Sequence, residues 1–349
     1  MADDSKLILW FTSDFGGCGH LRSIWINEAL NSYFGSRKFY EGITTSRFIV
    51  DTNILKQAKI YHFQRQITDG QLDYMKFIKK YRDENHKDGI IIYDLDDRVS
   101  DIPEFNYARQ FFHNEKLLNN LKIIFDLVDI VTVSTDEMAD WVKTYKGKAR
   151  IKVVPNLVPK SIYRPYDFIR VKNNKPKIVW AGSANHFNET HKGDFEVIYD
   201  LINNTIDEFD WVMSGVRKVP AWLSHIEKKI QTTPWTPIVN FPMVLKSLNA
   251  DFAVAPLLQN IFNEAKSNIK LLDYWSADLI TITSKMKPYA KENDYFFSGD
   301  WKIDRELIIN IFNDEEKKKS IIKRQNERLN KYYLENNLNI YMDMFNLKY

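Results

Sequence analysis

The sequence predicts an α/β protein made of two doubly wound parallel sheets, and three observations predict it. Short apolar runs alternate with stretches of helical periodicity, the alternation restarts after a proline-bearing basic segment, and the most distinctive residues fall just past the ends of the apolar runs. The length of 349 residues exceeds one ordinary α/β core and suits two domains.

In order, Lys6 to Thr12 (KLILWFT) reads as a buried strand, followed by a glycine-rich turn and a helix from about His20 through Tyr33. That helix is expected to place Ile24, Trp25, Leu30 and Tyr33 on one apolar side. Gly89 to Tyr93, Asp129 to Ser134 and Arg150 to Val154 follow as strands. Pro159 to Lys177 reads as the linker. Beyond it, Lys177 to Ala181, Phe209 to Met213, Phe252 to Ala255 and Leu279 to Thr283 form the second set of strands. The expected division is 1–165 for a first, acceptor-binding domain and 175–325 for a second, nucleotide-binding one, with a helix over 326–349 returning to the first. The run Glu315 to Lys319 reads as a solvated helix face.

Composition narrows the classes. Hydrophobic residues make up 44% of the chain, enough for two buried sheets, and the charged fraction of 27% is ordinary for a soluble protein. A net charge of +3 neither requires nor excludes a nucleic-acid partner. A single cysteine, Cys18, forbids an internal disulfide and suits a reducing compartment. The acidic start, Met1-Ala2-Asp3-Asp4, lacks the basic region of a signal peptide, and no apolar run approaches the ~20 residues of a membrane span. A cytoplasmic protein is expected. The abundance of Lys, Asn, Ile and Tyr hints at an AT-rich genome such as that of a bacterial virus, whose host cytoplasm would then be the location.

Four constellations carry chemistry. The turn with Gly16, Gly17 and Gly19 allows close backbone approach, the helix beyond it favours an anion, and Arg22 adds a cation one turn in. A plain β–α turn is the competing reading, and the dinucleotide-binding glycine pattern is absent. Asp94, Asp96 and Asp97 crowd three carboxylates at a strand end. They are read as acceptor or sugar contacts with a role in catalysis, as helix caps, or as metal ligands, in that order. Gly182 and Ser183, with Lys192 beyond, suit a pyrophosphate, against a surface loop with a solvated lysine. Lys266, Ser267 and Asn268 cluster donors at a helix start, and Asp273 further on suits ribose hydroxyls, against an ordinary polar cap.

These stretches resemble the GT-B glycosyltransferases of the retaining family that includes glycogen- and sucrose-synthase-like enzymes, with short phage and bacterial members nearest in look. The matching text runs in family order: GGCGHLRS, IIYDLDD with IPEFN, VDIVTVST, VVPNLV, WAGSANH, DFAVAPL and NEAKSNIKLLDYW. The resemblance implies two Rossmann-like domains facing a cleft. It assigns Gly17 and Gly19 to the donor's diphosphate and sugar, and Gly182, Ser183 and Lys192 to phosphate. It assigns Lys266, Ser267 and Asn268 to the diphosphate and sugar, Asp273 to the ribose, and Trp235 to the nucleobase, although Trp235 suits ordinary core equally. The sequence departs from the family at Ala265, where the first of two paired glutamates is expected (Glu264 lies beside it), at Asp278, where a small residue is expected, and in having no histidine at the Tyr93–Asp97 strand end.

The implied activity is metal-independent transfer of a hexose or pentose from a nucleotide-sugar, UDP first among the bases, with retention; no cofactor beyond that donor is expected. Lys192 and Lys266 would stabilise the leaving diphosphate. Duplex DNA carrying a hydroxymethylated pyrimidine is the first acceptor considered, and the basic-aromatic stretches Lys56, Lys59, Tyr61, His62, Phe63, Arg65 and Lys76, Lys79, Lys80, Arg82 suit it unless they are solvated helix faces. A surface polysaccharide or teichoic acid, or a non-catalytic nucleotide-sugar-binding module, are the alternatives.

Overall fold

The computed structural model describes residues 6–35, 40–85, 88–164 and 170–347. Six parallel strands form the first sheet: β1 (Lys6–Phe11), β2 (Tyr40–Thr45), β3 (Ala58–Gln64), β4 (Ile90–Leu95), β5 (Ile130–Val133) and β6 (Arg150–Val153), in spatial order β2-β1-β3-β4-β5-β6. Five parallel strands form the second: β7 (Lys177–Ala181), β8 (Asp210–Ser214), β9 (Ile230–Thr233), β10 (Phe252–Ala255) and β11 (Ile280–Thr283), in order β11-β10-β7-β8-β9. Helices cover both faces of such sheets, so β1, β4, β5, β7 and β10 are nearly continuous apolar runs. In each sheet the chain reverses its direction of travel once, between β1 and β3 and between β7 and β10. Ligands of open parallel sheets bind beyond the strand ends at that reversal.

Three strands escape the sequence reading. β2 and β9 are edge strands with polar, half-exposed residues. β3 is central, and it corrects the reading of Lys56 to Arg65 as a basic-aromatic surface. Tyr61 and Phe63 are core, and His62 lies 4.5 Å from the Trp10 ring, with burial pushing its pKa down to about 4 so that it stays neutral. Lys59 pairs with Asp88. The second stretch lies on the helix Asp69–Asn85, where Lys76, Lys79 and Lys80 pair with Asp73, Asp83 and Glu84, and Arg82 is buried against Asp129. On the helix Trp25–Phe34, Trp25 and Leu30 are buried, while Tyr33 is exposed rather than core.

The expected linker begins with a helical turn, Lys160–Tyr163; its residues 165–169 lie outside the described residues. Arg170 then anchors to the carbonyls of Ala250, Ala277 and Asp278. Helix Glu315–Leu329 packs on the second domain, capped by Asp314, and pairs Glu315 with Lys318 and Glu316 with Lys319 on its surface. The chain next passes beside Val158, which bridges to Tyr333 and bonds with Tyr332 and Leu334. The last described helix, Leu338–Met344, packs against Trp25–Phe34, and Phe345 sets its ring edge-on to Trp10. One hydrophobic cluster therefore runs through both domains, from Trp10 and Trp25 to Leu271 and Trp275. No described helix is long and apolar enough to cross a membrane.

Candidate functional site

The turn after β1 is built around Asp14. Its Oδ1 accepts from the amides of Gly16 (2.7 Å) and Gly19 (3.2 Å), and its carbonyl accepts from the Thr12 hydroxyl. A methyl group on Gly19 would sit 1.8 Å from the Asp14 carbonyl oxygen, so this close turn requires glycine. A methyl group on Gly17 would lie 3.6 Å from Ile238 Cδ1 of the second domain, so this loop faces the cleft.

Two expected site residues of the first domain are engaged elsewhere. Arg22, read as a phosphate contact, is 1% exposed and spends its guanidinium internally: Nε and Nη2 donate to the two oxygens of Asp94 (2.9 and 2.7 Å), and Nη1 donates to Val154 O (2.7 Å) and Asn156 Oδ1 (3.0 Å). Asp94, read as catalytic, is 2% exposed and also accepts from Thr132 Oγ1 at 2.6 Å. A desolvated bidentate pair with its remaining valences filled from within the protein serves as a structural frame.

Asp96 and Asp97 do face the cleft side, held by Arg65 at the end of β3. Its guanidinium lies 3.3 Å from Asp97, 3.7 Å from Asp96 and 3.3 Å from Asp14. The Asp97 carboxyl is pushed up by burial and by Asp96, against the pull of Arg65 and of Lys266 from the other domain. The three aspartates do not converge on one point, since Arg22 grips the first and Arg65 the other two. They cap no helix either, because the turn Val99–Asp101 starts at Arg98 without a side-chain cap bond. Arg65, which sequence reasoning placed on a basic surface, is the residue that makes this acidic edge tenable. Cys18 lies beside Asp96, and burial, with that carboxylate, pushes its thiol well up, so it stays neutral.

Across the cleft the charge is opposite. Lys270 Nζ donates to the Ala181 carbonyl, and a methyl group on Gly182 would lie 3.0 Å from that nitrogen and 2.9 Å from the Trp180 ring. Glycine at 182 is what lets Lys270 reach the end of β7. Burial pushes Lys270 down to about 8, opposed by Asp273 and helped by Lys266. Lys266, 20% exposed, lies 3.9 Å from Asp194 and stands over the Phe262 ring. Asp194 is fully buried and accepts from His186 Nδ1 (2.8 Å), the Leu258 amide (2.9 Å) and Asn263 Nδ2 (2.7 Å), which ties the loops after β7 and β10 together. Burial first, then Lys266, pushes His186 down to about 4, so its ring is neutral.

Lys192 is turned away from this group. Its ammonium sits 3.6 Å over the Tyr199 ring and 3.5 Å from Glu196, where Lys266 was expected as its partner. Lys270 holds that place, and its spacing of one helical turn from Lys266 is the signal that could have found it. Ser183, at the turn after β7, is exposed and makes no side-chain cap bond.

Lys266, Ser267 and Asn268 precede the helix Ile269–Ser276, whose first amides lack intrahelical partners. Ser267 Oγ accepts from Asn156 Nδ2 across the domain boundary at 2.8 Å. Asn268 does not cap the helix with its side chain. Asp273, 5% exposed, accepts from the Tyr163 hydroxyl at 2.9 Å, and burial pushes its pKa up to about 6. Trp235 is 60% exposed and is not core. Ala265 is buried against the first domain, its carbonyl accepting from Thr135 Oγ1 at 2.8 Å, while Glu264 pairs with Lys287. Asp278 pairs with Arg164 at 2.9 Å and accepts from Asn326.

No family model matches this sequence, and no curated protein does. Solved structures match in fold. An alpha-glucosyltransferase in complex with UDP aligns with a TM-score of 0.65 at 11% identity, over 98% of this chain and 99% of that one. An alpha-glucosyltransferase with UDP and a 13-mer DNA containing an HMU base aligns at 0.63 and 11% identity, over 98% of each chain. Sucrose-phosphate synthase from Thermosynechococcus elongatus aligns at 0.63 and 10% identity, again over 98% of each. The fold is GT-B, two Rossmann-like domains across a cleft.

Proposed function

We propose that this protein is a glycosyltransferase that moves a sugar from a nucleoside-diphosphate sugar, UDP first among the bases, to an acceptor hydroxyl. The observation that carries the reading is the group of Lys266, Ser267 and Lys270 at the start of Ile269–Ser276 and the end of β7, facing the carboxylates of the first domain. Two ammonium groups and a helix start neutralise a departing diphosphate, and fixed charges there act without reorganising. Asp273, on the same helix as Lys270, suits the ribose, and exposed Trp235 suits the base. Asp96 and Asp97, held by Arg65 on the opposite rim, suit orientation of the acceptor.

In the proposed reaction, the bond from the anomeric carbon to the phosphate oxygen breaks and the diphosphate leaves with the electron pair. The acceptor oxygen bonds to the same face of that carbon, and its proton passes to the departing phosphate. Retention and the sugar belong to this proposal, as does the acceptor, a hydroxymethylated pyrimidine in duplex DNA. Support for that acceptor is the match, at full length, to a glucosyltransferase holding DNA with an HMU base.

The test is transfer of label from UDP-, GDP- and ADP-sugars to duplex DNA with and without hydroxymethylated bases, with the anomeric configuration read by NMR. Label in the modified duplex alone supports the whole reading. Label in a glycan acceptor instead would redirect the acceptor. Absence of both transfer and nucleotide-induced thermal stabilisation across the panel overturns the reading.

A further inference from the structure

We infer that Asn156, oriented by Arg22, sets the direction of the Ser267 hydroxyl so that its hydrogen is offered to the donor's diphosphate; this rests on the function proposed above. Arginine carries donors only, so the Asn156 atom facing Nη1 at 3.0 Å must be the amide oxygen. The amide nitrogen then points across the domain boundary and donates to Ser267 Oγ at 2.8 Å. A hydroxyl that accepts this bond keeps its own hydrogen for another partner. In the flipped amide, Ser267 would spend that hydrogen on Asn156.

The frame behind this choice is rigid. Arg22 is buried and holds both Asp94 oxygens and the Val154 carbonyl, and Thr132 holds Asp94 in turn. Its residues come from the helical segment after β1, the ends of β4 and β6, and β5 itself, so the polarity of one hydroxyl in the second domain is fixed by the core of the first. Ser267 sits between Lys266 and Asn268 at a helix start, where an acceptor-rich anion is the complementary ligand. Because the bond spans the cleft, the hydroxyl is set for phosphate only while the domains hold this arrangement. Asn156 and Arg22 act through Ser267 and are positioning residues.

Calorimetry of UDP binding to the full chain tests this, with Asn156→Asp, Asn156→Ala, Ser267→Ala and the Asn156→Ala/Ser267→Ala pair. Asn156→Asp keeps an acceptor for Arg22, so its melting temperature stays close to wild type, yet it turns the Ser267 hydrogen toward itself. It is expected to bind UDP at least about tenfold more weakly, and more weakly than Asn156→Ala. Ser267→Ala is expected to lose about tenfold, and adding Asn156→Ala to it should cost no further affinity. Wild-type affinity in Asn156→Asp, or losses that multiply in the double variant, overturns the inference while leaving the donor reading intact. Wild-type protein that binds no UDP, GDP or ADP would overturn both.

Discussion

At the carboxyl end of the first sheet, Asp14, Asp96 and Asp97 surround a single arginine, whereas at the same end of the second sheet Lys266 lies 3.9 Å from buried Asp194 and Lys270 reaches the Ala181 carbonyl, its charge favoured by buried Asp273. Both sheets are parallel and both reverse at an inner strand. Equivalent topology thus presents an acidic edge on one side and a cationic one on the other. The fold supplies two rims and a cleft; the side chains decide which rim is suited to an anion.

The sharpest way to break this comparison is Lys266→Ala. Turnover with UDP-sugar should fall by about 10²–10³, as when one preorganised stabiliser of leaving-group charge is removed. The melting temperature should move by only a few degrees, because Lys266 is part-exposed at the rim. Unchanged turnover would mean that the cationic rim is not the phosphate side.

Lys270 sharpens the same point through pH. Its pKa is held down to about 8 by burial, so it loses its charge as pH rises from 7 to 9. UDP affinity should fall several-fold over that range, and Lys270→Met should start weaker and show a flatter profile. Stability carries the opposite sign. An unfolded lysine titrates near 10.4, so between about 8 and 10.4 the unfolded chain binds more protons and the unliganded protein gains stability as pH rises. Chemical denaturation at pH 8 and 10 should show that gain in the wild type and less of it in Lys270→Met.

On the acidic rim, Asp97→Asn should lower the rate of transfer to acceptor by about tenfold while changing UDP affinity little. A large loss of UDP affinity instead would place the donor against the first domain. The smallest effect is expected at Trp235. Its exposed ring is offered for stacking, and Trp235→Ala should weaken UDP about threefold in calorimetry.

How much of this was legible depends on whether burial is uniform along a segment. β7 and β10 are apolar on both faces and read directly as KIVWA and FAVA. β3 is equally central, but it carries Lys59, His62 and Gln64: Lys59 pairs with Asp88, the Gln64 oxygen accepts from the Ser13 amide at 2.8 Å and from its hydroxyl, and neutral His62 packs on the Trp10 ring. A polar residue satisfied from another strand cannot be told from a surface one in the linear chain. The same limit governs the site. Lys266 and Ser267 stand out because donors crowd a helix start, but the choice between Lys192 and Lys270 rests on the space left by Gly182. Arg65, Asp194 and Asn156 act on partners more than 30, 60 and 100 residues away in the chain, and no local pattern marks them.

The two passages of the chain between the domains, one leaving past Val158 and one returning past Tyr333, run side by side as bonded neighbours. Two adjacent attachments define a single line, and a body fastened along one line swings about it while resisting twist and slide. Opening and closing of the cleft is therefore expected to follow one rotation, like a door on paired leaves. Cutting the chain after Leu329 would remove one leaf and leave a loose tether in place of a pivot.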